Sequence, residues 1–262
     1  MTNLPKLPSN WREVTLSQYK ELIEISELIK EGSIEYWIEV LALFWDISPQ
    51  DEVFDQLEWH NLIELQRALG WLSHHPKPNG ITEWDGLHLK PLNDLFLGEY
   101  IDLEHYSSEP IQNMDKIVAI LFKKQRHNDW DHTEWEPYTY DLAERANVVN
   151  GWPVDIAWNA FNIWIAWRTD FMDKYRELFQ ADEEPEGEEA PLEGYQKIEA
   201  KKKKLVEERQ KKWSWEHLLW NMSGEDVTKF NKLFQTKAVL VFNILSMKKS
   251  LDGTSVDWYP NC

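Results

Sequence analysis

Apolar residues recur every three or four positions along most of the chain, which is the spacing of one face of an α-helix. The first such stretch begins at Thr15–Gln18, where a threonine followed by a glutamine three positions later predicts a capping box. Gly32 is expected to end this helix, and Ser33 is a typical cap for the next one. Ser48-Pro49 predicts a further helix start, because proline suits the first helical turn. One helix, or two short ones, should then run to about residue 69.

One segment departs from this helical spacing. Ile81–Trp84 and Leu87–Leu89 are short strand-like runs joined by Asp85-Gly86, a pair that supports the positive φ angles of a tight type I′ turn. The sequence therefore predicts one small β-hairpin near residues 81–90. A lone two-stranded ribbon is marginal in water, so this hairpin must pack against helices.

Helical spacing returns after the hairpin. Helices are predicted at Leu95–Tyr106, Met114–Lys124 and Tyr140–Asn150, followed by a long element from Pro153 to Phe179. The first half of the long element is apolar on nearly all sides, which is typical of a helix at the centre of a core. Its main apolar stripe consists of Ile156, Ala160, Ile163, Trp167, Phe171 and Leu178.

The charge pattern changes after residue 180. Residues 181–194 hold seven acidic side chains and no basic one, which predicts a flexible, solvated linker. Tyr195–Lys212 is strongly basic and predicts an exposed helix, and a C-terminal helical part follows. The predicted fold is therefore mainly α: a multi-helix domain at 1–180 with one hairpin, an acidic linker at 181–194, and a C-terminal helical extension at 195–262.

Net charge and hydropathy restrict the possible partners. The chain carries 46 acidic against 28 basic residues, a formal net charge of −18, and such a field repels nucleic-acid phosphates and anionic lipid headgroups. The longest charge-free stretches, Ile156–Trp167 and Ala238–Met247, are shorter than the about 20 residues that a membrane helix needs. We therefore expect no membrane partner, and nucleic acid is disfavoured. Lys201–Lys204 offers a possible nucleic-acid contact, but a solvated helix face is the preferred interpretation.

Groups with the spacing of a catalytic site are few. Glu99, Asp102 and His105 follow one another at intervals of three, and Asp129–His132 has a similar spacing, which in a helical bundle can ligate metal ions. Short motifs of this kind are mostly accidental, so we prefer a structural interpretation. Cys262 is the single cysteine, and the sequence has no nucleophile elbow, phosphate-binding glycine loop or zinc motif. We expect no enzymatic activity, no cofactor and no metal, with a carboxylate-based metalloenzyme as the remaining catalytic alternative.

Aromatic residues supply the strongest binding signal, because the chain contains 16 tryptophans. Tryptophan buries a large area at small entropic cost and is enriched at interface anchors. A cluster beside the basic segment is predicted to bind a partner, and the alternative is a second small core that includes Phe242. The candidate partner-binding residues are Trp213, Trp215, Leu219, Trp220, Phe230 and Phe234.

Several phrases together resemble tailed-phage proteins of the tail-assembly-chaperone type, which are associated with the tape-measure protein. The resemblance spans most of residues 11–247. The phrases are WREVTLSQYKEL at Trp11–Leu22, FLGEYIDLEH at Phe96–His105, KIVAILFK at Lys116–Lys123, YDLAERA at Tyr140–Ala146, FNIWIAWRTDFMDKY at Phe161–Tyr175 and WSWEHLLWNMSGEDVTKF at Trp213–Phe230.

This resemblance implies a function in virion assembly. Such a protein is a non-enzymatic helper that covers the long tape-measure helix until the tail tube polymerises around it, and a helix-in-groove mode suits that task. The implied partner is another protein, a tail or virion component, met in the cytoplasm of the infected host cell. A structural virion protein of the neck, tail or cargo is the second hypothesis, and it would place the chain in the virion.

Overall fold

The computed structural model describes residues 5–127, 133–138, 142–179 and 214–252. Most of these residues are helical, which confirms the mainly α class predicted from the sequence. Short 3₁₀ helices lie at Trp11–Glu13, Gly70–Ser73, Leu92–Asp94 and Val227–Lys229. The α-helices are α1 (Leu16–Leu28), α2 (Ile34–Trp45), α3 (Glu52–Asp55), α4 (Trp59–Ala68), α5 (Leu97–Tyr106), α6 (Met114–Leu121), α7 (Ala143–Asn150), α8 (Val154–Lys174), α9 (Arg176–Phe179), α10 (Ser214–Ser223), α11 (Phe230–Phe234) and α12 (Ala238–Asp252).

Local hydrogen bonds explain where the first helices begin. The capping box at α1 is confirmed: the Gln18 amide donates to Thr15 Oγ1 over 3.2 Å, and the Thr15 amide donates to Gln18 Oε1 over 3.0 Å. Ser33 caps α2, as predicted, by accepting from an amide in the first turn. The start predicted at Ser48-Pro49 is wrong by one turn, because the side chain of Asp51 caps α3.

A small antiparallel sheet contains the predicted hairpin. Strands β1 (Glu83–Trp84) and β2 (Leu87–Leu89) are joined by Asp85 and Gly86, whose φ angles of 53° and 71° both lie in the left-handed region. Strand β3 (Phe122–Lys123) pairs with β2 as a third strand. The helix predicted through Lys124 therefore ends earlier, at Leu121.

A second ribbon lies in the segment after β3, where no strand was predicted. Strands β4 (Gln125–His127) and β5 (Thr133–Trp135) pair antiparallel. Thr133 and Glu134, which directly follow the Asp129–His132 motif in sequence, belong to β5. Strands of two or three residues are too short to give a recognisable alternation in the sequence.

The described residues divide into two compact units, one within 1–90 and 105–164 and the other within 91–104 and 165–262. The linker predicted at 181–194 and the basic helix predicted at Tyr195–Lys212 fall outside the described residues. The domain boundaries placed there remain predictions.

The first unit has a core of helix-borne leucines and aromatic side chains. Leu22 of α1, Val40 and Leu41 of α2, and Leu62 and Leu69 at α4 form one buried cluster. Helix α6 is buried over nearly its whole length, as its dense apolar sequence requires.

The second unit is organised around aromatic rings. Tyr100 of α5 lies 5.3 Å from both Phe171 of α8 and Phe242 of α12, measured between ring centroids, and the latter two rings are 4.8 Å apart. The long element predicted to run to Phe179 is interrupted at Tyr175, where α8 ends and α9 follows. The Tyr175 hydroxyl donates to Asn243 Oδ1 over 2.6 Å, so this break joins α12 to the aromatic core.

Asn159, a buried polar residue of α8, holds the segment before β1 in the first unit. It is 1% exposed, and its carbonyl oxygen accepts from the amides of Asn79 and Gly80 over 3.1 and 3.2 Å. Its amide nitrogen donates to the carbonyl oxygen of Ile81 over 2.9 Å. One side chain thus satisfies three backbone groups of a segment that has no regular secondary structure.

We expect Asn159→Ala to lower the free energy of unfolding by about 2–3 kcal/mol, because several partly buried backbone groups lose their partner. Chemical denaturation of the purified chain measures this difference. Asn162→Ala is the matched control, since Asn162 of the same helix donates only to the carbonyl of Trp158, one turn earlier. Equal losses in the two variants would contradict the bridging role of Asn159.

Candidate binding sites

The predicted partner-binding residues divide between the interior and the surface of the second unit. Trp215 is half-buried and meets the ring of Tyr100 edge-on, with centroids 5.8 Å apart, so it extends the aromatic core. Leu219 is also buried, at 4% exposure. Trp220, in contrast, is 38% exposed, and Phe230 and Phe234 are half-buried. Trp213 lies outside the described residues. The binding role of these side chains remains a prediction.

Helix α12 presents a second apolar face to solvent. Leu240, Met247 and Leu251 are 51%, 55% and 75% exposed, and Ile244 between them is half-buried. Their spacing of four, three and four residues places them in one line along the helix, as in the seam of a coiled coil. We call these four residues the α12 stripe. The opposite side of the helix holds the buried residues Ala238, Val241, Phe242 and Leu245.

A basic residue flanks one edge of the α12 stripe. At about 100° per residue, Lys248 falls on one side of the stripe, whereas Asn243 and Ser250 fall on the other. Lys237, which precedes α12 and pairs with Phe96 in an isolated β-bridge, forms an ion pair with Asp94 of the same unit. The stripe is therefore an aliphatic surface with Lys248 at one edge.

The first unit contains a concave site that the sequence did not reveal. A cleft with a volume of about 480 Å³ opens between α1, α2 and the 3₁₀ helix Gly70–Ser73. We call it the aromatic cleft, after the lining residues Trp11, Tyr19, Tyr36 and Trp37. Its residues are distant in sequence, so no local pattern could have identified it.

Aromatic pairs and one hydrogen bond fix the walls of the aromatic cleft. Trp11 and Tyr19 have ring centroids 5.5 Å apart at 82°, and Tyr36 and Trp37 have centroids 5.2 Å apart at 80°. The Trp11 indole donates to the carbonyl oxygen of His74 over 2.8 Å, so this polar atom is already satisfied. The lining combines these rings with the aliphatic side chains of Leu22, Ile23, Leu69 and Leu72.

Electrostatically the aromatic cleft is negative. Glu31 lies in its lining, and within the described residues neither lysine nor arginine does. Burial, and secondarily the negative charge of Glu31, raises the pKa of Tyr36 above its usual value. Burial also raises the pKa of Tyr19. Both tyrosines are therefore neutral at physiological pH, and the carboxylate of Glu31 supplies the charge.

His75, in the irregular segment after the 3₁₀ helix Gly70–Ser73, borders the same cleft. Its ring stacks on Trp158 of α8, with centroids 5.6 Å apart and planes 6° apart. A histidine beside a proline gives no signal of such stacking, because Trp158 is distant in sequence.

The described residues of the metalloenzyme alternative form no metal-binding group. Glu99 is completely buried, and its Oε2 accepts from the amide of Phe96 over 2.9 Å, which ties it to the start of α5. In the part of the chain that the structure describes, no group of three or more His, Cys, Asp or Glu side chains is arranged to hold a metal ion. Asp129–His132 lies outside that part.

No protein-family model matches the chain, and neither a curated protein nor a solved structure matches it. Among the described helices, none combines the length and apolarity needed to cross a bilayer. The relation to tail-assembly chaperones therefore remains a prediction from the sequence phrases.

We expect Glu31→Gln to lower the pKa of Tyr36, because a negative charge that favours the neutral phenol is removed. The pKa should stay above the usual value, since burial is the larger cause. Absorbance titration of phenolate, taken as the difference between each protein and its Tyr36→Phe counterpart, measures the shift. Glu27→Gln on α1 is the control for a general loss of negative charge, and a shift of equal size in that variant would contradict the local effect.

Proposed function

We propose that the chain is a non-enzymatic assembly factor of a tailed phage that binds an apolar helical segment of a tail component, the tape-measure protein. The observation that carries the proposal is the α12 stripe, which is aliphatic, in line and exposed in the described structure. The identity of the client comes from the sequence resemblance.

The geometry of the stripe favours a helical partner. Side chains spaced by four, three and four residues can insert between the side chains of a second helix that carries a similar seam. Trp220, exposed at the end of α10 in the same unit, offers a further aromatic contact. A client helix that leaves its apolar seam uncovered in water would gain most from such a surface.

Charge argues against a second copy of the chain as the partner that covers the α12 stripe. Each copy carries a net charge of −18, so self-association brings two strongly negative bodies together. Antiparallel pairing of two α12 stripes would also place Lys248 of both copies on the same edge of the interface. The same edge suits a client helix with acidic residues beside its seam.

The first test is binding between the purified full chain and overlapping segments of the tape-measure protein encoded in the same genome. We expect the double variant Leu240→Gln, Met247→Gln to bind the preferred segment about 30-fold more weakly. Each side chain is about half exposed, so each substitution forfeits roughly half of the about 1.5–3 kcal/mol gained by full burial. Calorimetric titration measures the dissociation constants.

The matched control is Leu28→Gln with Val148→Gln, which removes two exposed apolar side chains from helices of the first unit. This control should bind as the native chain does. Absence of binding by the native chain to every segment would contradict the proposal. Recovery of the chain in mature particles at fixed stoichiometry would instead support the structural virion hypothesis.

A further inference from the structure

The aromatic cleft has the composition of a site for organic cations. Four of its lining residues, Trp11, Tyr19, Tyr36 and Trp37, are aromatic. Tyr19 and Tyr36 are buried at 2% and 9% exposure, whereas Trp11 and Trp37 are half-buried and offer most of the accessible ring surface. The faces of such rings carry negative electrostatic potential, so they attract ammonium and guanidinium groups.

Charge complementarity indicates the same class of ligand. The exposed carboxylate of Glu31 borders the cleft, and among the described lining residues no lysine or arginine opposes it. The hydroxyl of Ser26 and the side chain of Gln66 add polar groups to the walls. The Glu31 carboxylate would repel an anionic ligand, and a neutral apolar ligand would form no favourable electrostatic interaction with it.

We propose that the aromatic cleft binds a cationic side chain, the guanidinium of arginine in particular, presented by an extended segment of a partner protein. The planar guanidinium can stack on a tryptophan or tyrosine face while its N–H groups reach a carboxylate. The volume of about 480 Å³ exceeds what one side chain fills, so it leaves room for the adjoining backbone of a peptide. The proposal is independent of the function assigned to the α12 stripe, because the cleft lies in the other unit.

Two peptides of identical shape test the proposal: acetyl-Gly-Arg-Gly-amide, and the same peptide with citrulline, which replaces the charged guanidinium by a neutral urea. We expect the full chain to bind the arginine peptide at least about tenfold more tightly. Titration followed by the indole N–H signals of Trp11 and Trp37 in nuclear magnetic resonance spectra measures both affinities and locates the site. Equal affinities, or no shift of these two signals with either peptide, would overturn the proposal.

Glu31→Gln should weaken binding of the arginine peptide about threefold to tenfold and leave the citrulline peptide unaffected. Glu27→Gln removes the same charge from an exposed position outside the lining, so it should leave both affinities unchanged. Equal weakening by both variants would show a general field effect and would contradict the local role of Glu31. Both substitutions are at exposed positions, and thermal unfolding verifies that each variant is folded.

Methylguanidinium chloride distinguishes a side chain from a free ion. The arginine peptide should bind more tightly than methylguanidinium, because its backbone adds contacts in the remaining volume. If methylguanidinium binds as tightly as the arginine peptide, the proposal that the cation belongs to a partner protein is wrong.

Discussion

Burial of the apolar side chains of α8 is the interaction on which the packing of each unit depends. Ile156, Ala160 and Trp164 in its first half are completely buried within the first unit. In its second half, Phe171 is 5% exposed and contacts the rings of Tyr100 and Phe242 in the second unit. Each large side chain contributes on the order of 1.5–3 kcal/mol. The Trp164 indole also donates to Ser107 Oγ over 2.9 Å, so this burial leaves no polar atom of the ring unsatisfied.

Local signals predicted the elements that local interactions determine. The capping box at Thr15 and the positive-φ turn at Asp85-Gly86 are formed by adjacent residues, and both were readable in the sequence. Strand β3 was not, because Phe122 continues the apolar run of α6 and is extended only through pairing with Leu89. The interruption at Tyr175 likewise had no local signal, and the Tyr175 hydroxyl bonds to Asn243, 68 residues away in sequence.

The candidate sites differ in how far the sequence could reveal them. The α12 stripe is a periodic pattern within the C-terminal part that was predicted as helical. Which of its faces is covered depends on contacts with Phe171 and Tyr175. The aromatic cleft has no local signature, because α1, α2 and the Gly70–Ser73 turn each contribute only a few of its residues. In the sequence, the aromatic residues of the cleft cannot be distinguished from those of an ordinary hydrophobic core.

The charges beside these surfaces add a local selectivity to the effect of the total charge of the chain. At physiological ionic strength, electrostatic interactions are screened over about 8 Å. A partner group at the α12 stripe therefore responds to Lys248, and one inside the aromatic cleft responds to Glu31. Two sites with opposite local polarity on a chain of net charge −18 can thus select different features of a partner. A partner helix with an aliphatic seam and acidic flanking residues fits the α12 stripe. An arginine on an extended segment fits the aromatic cleft.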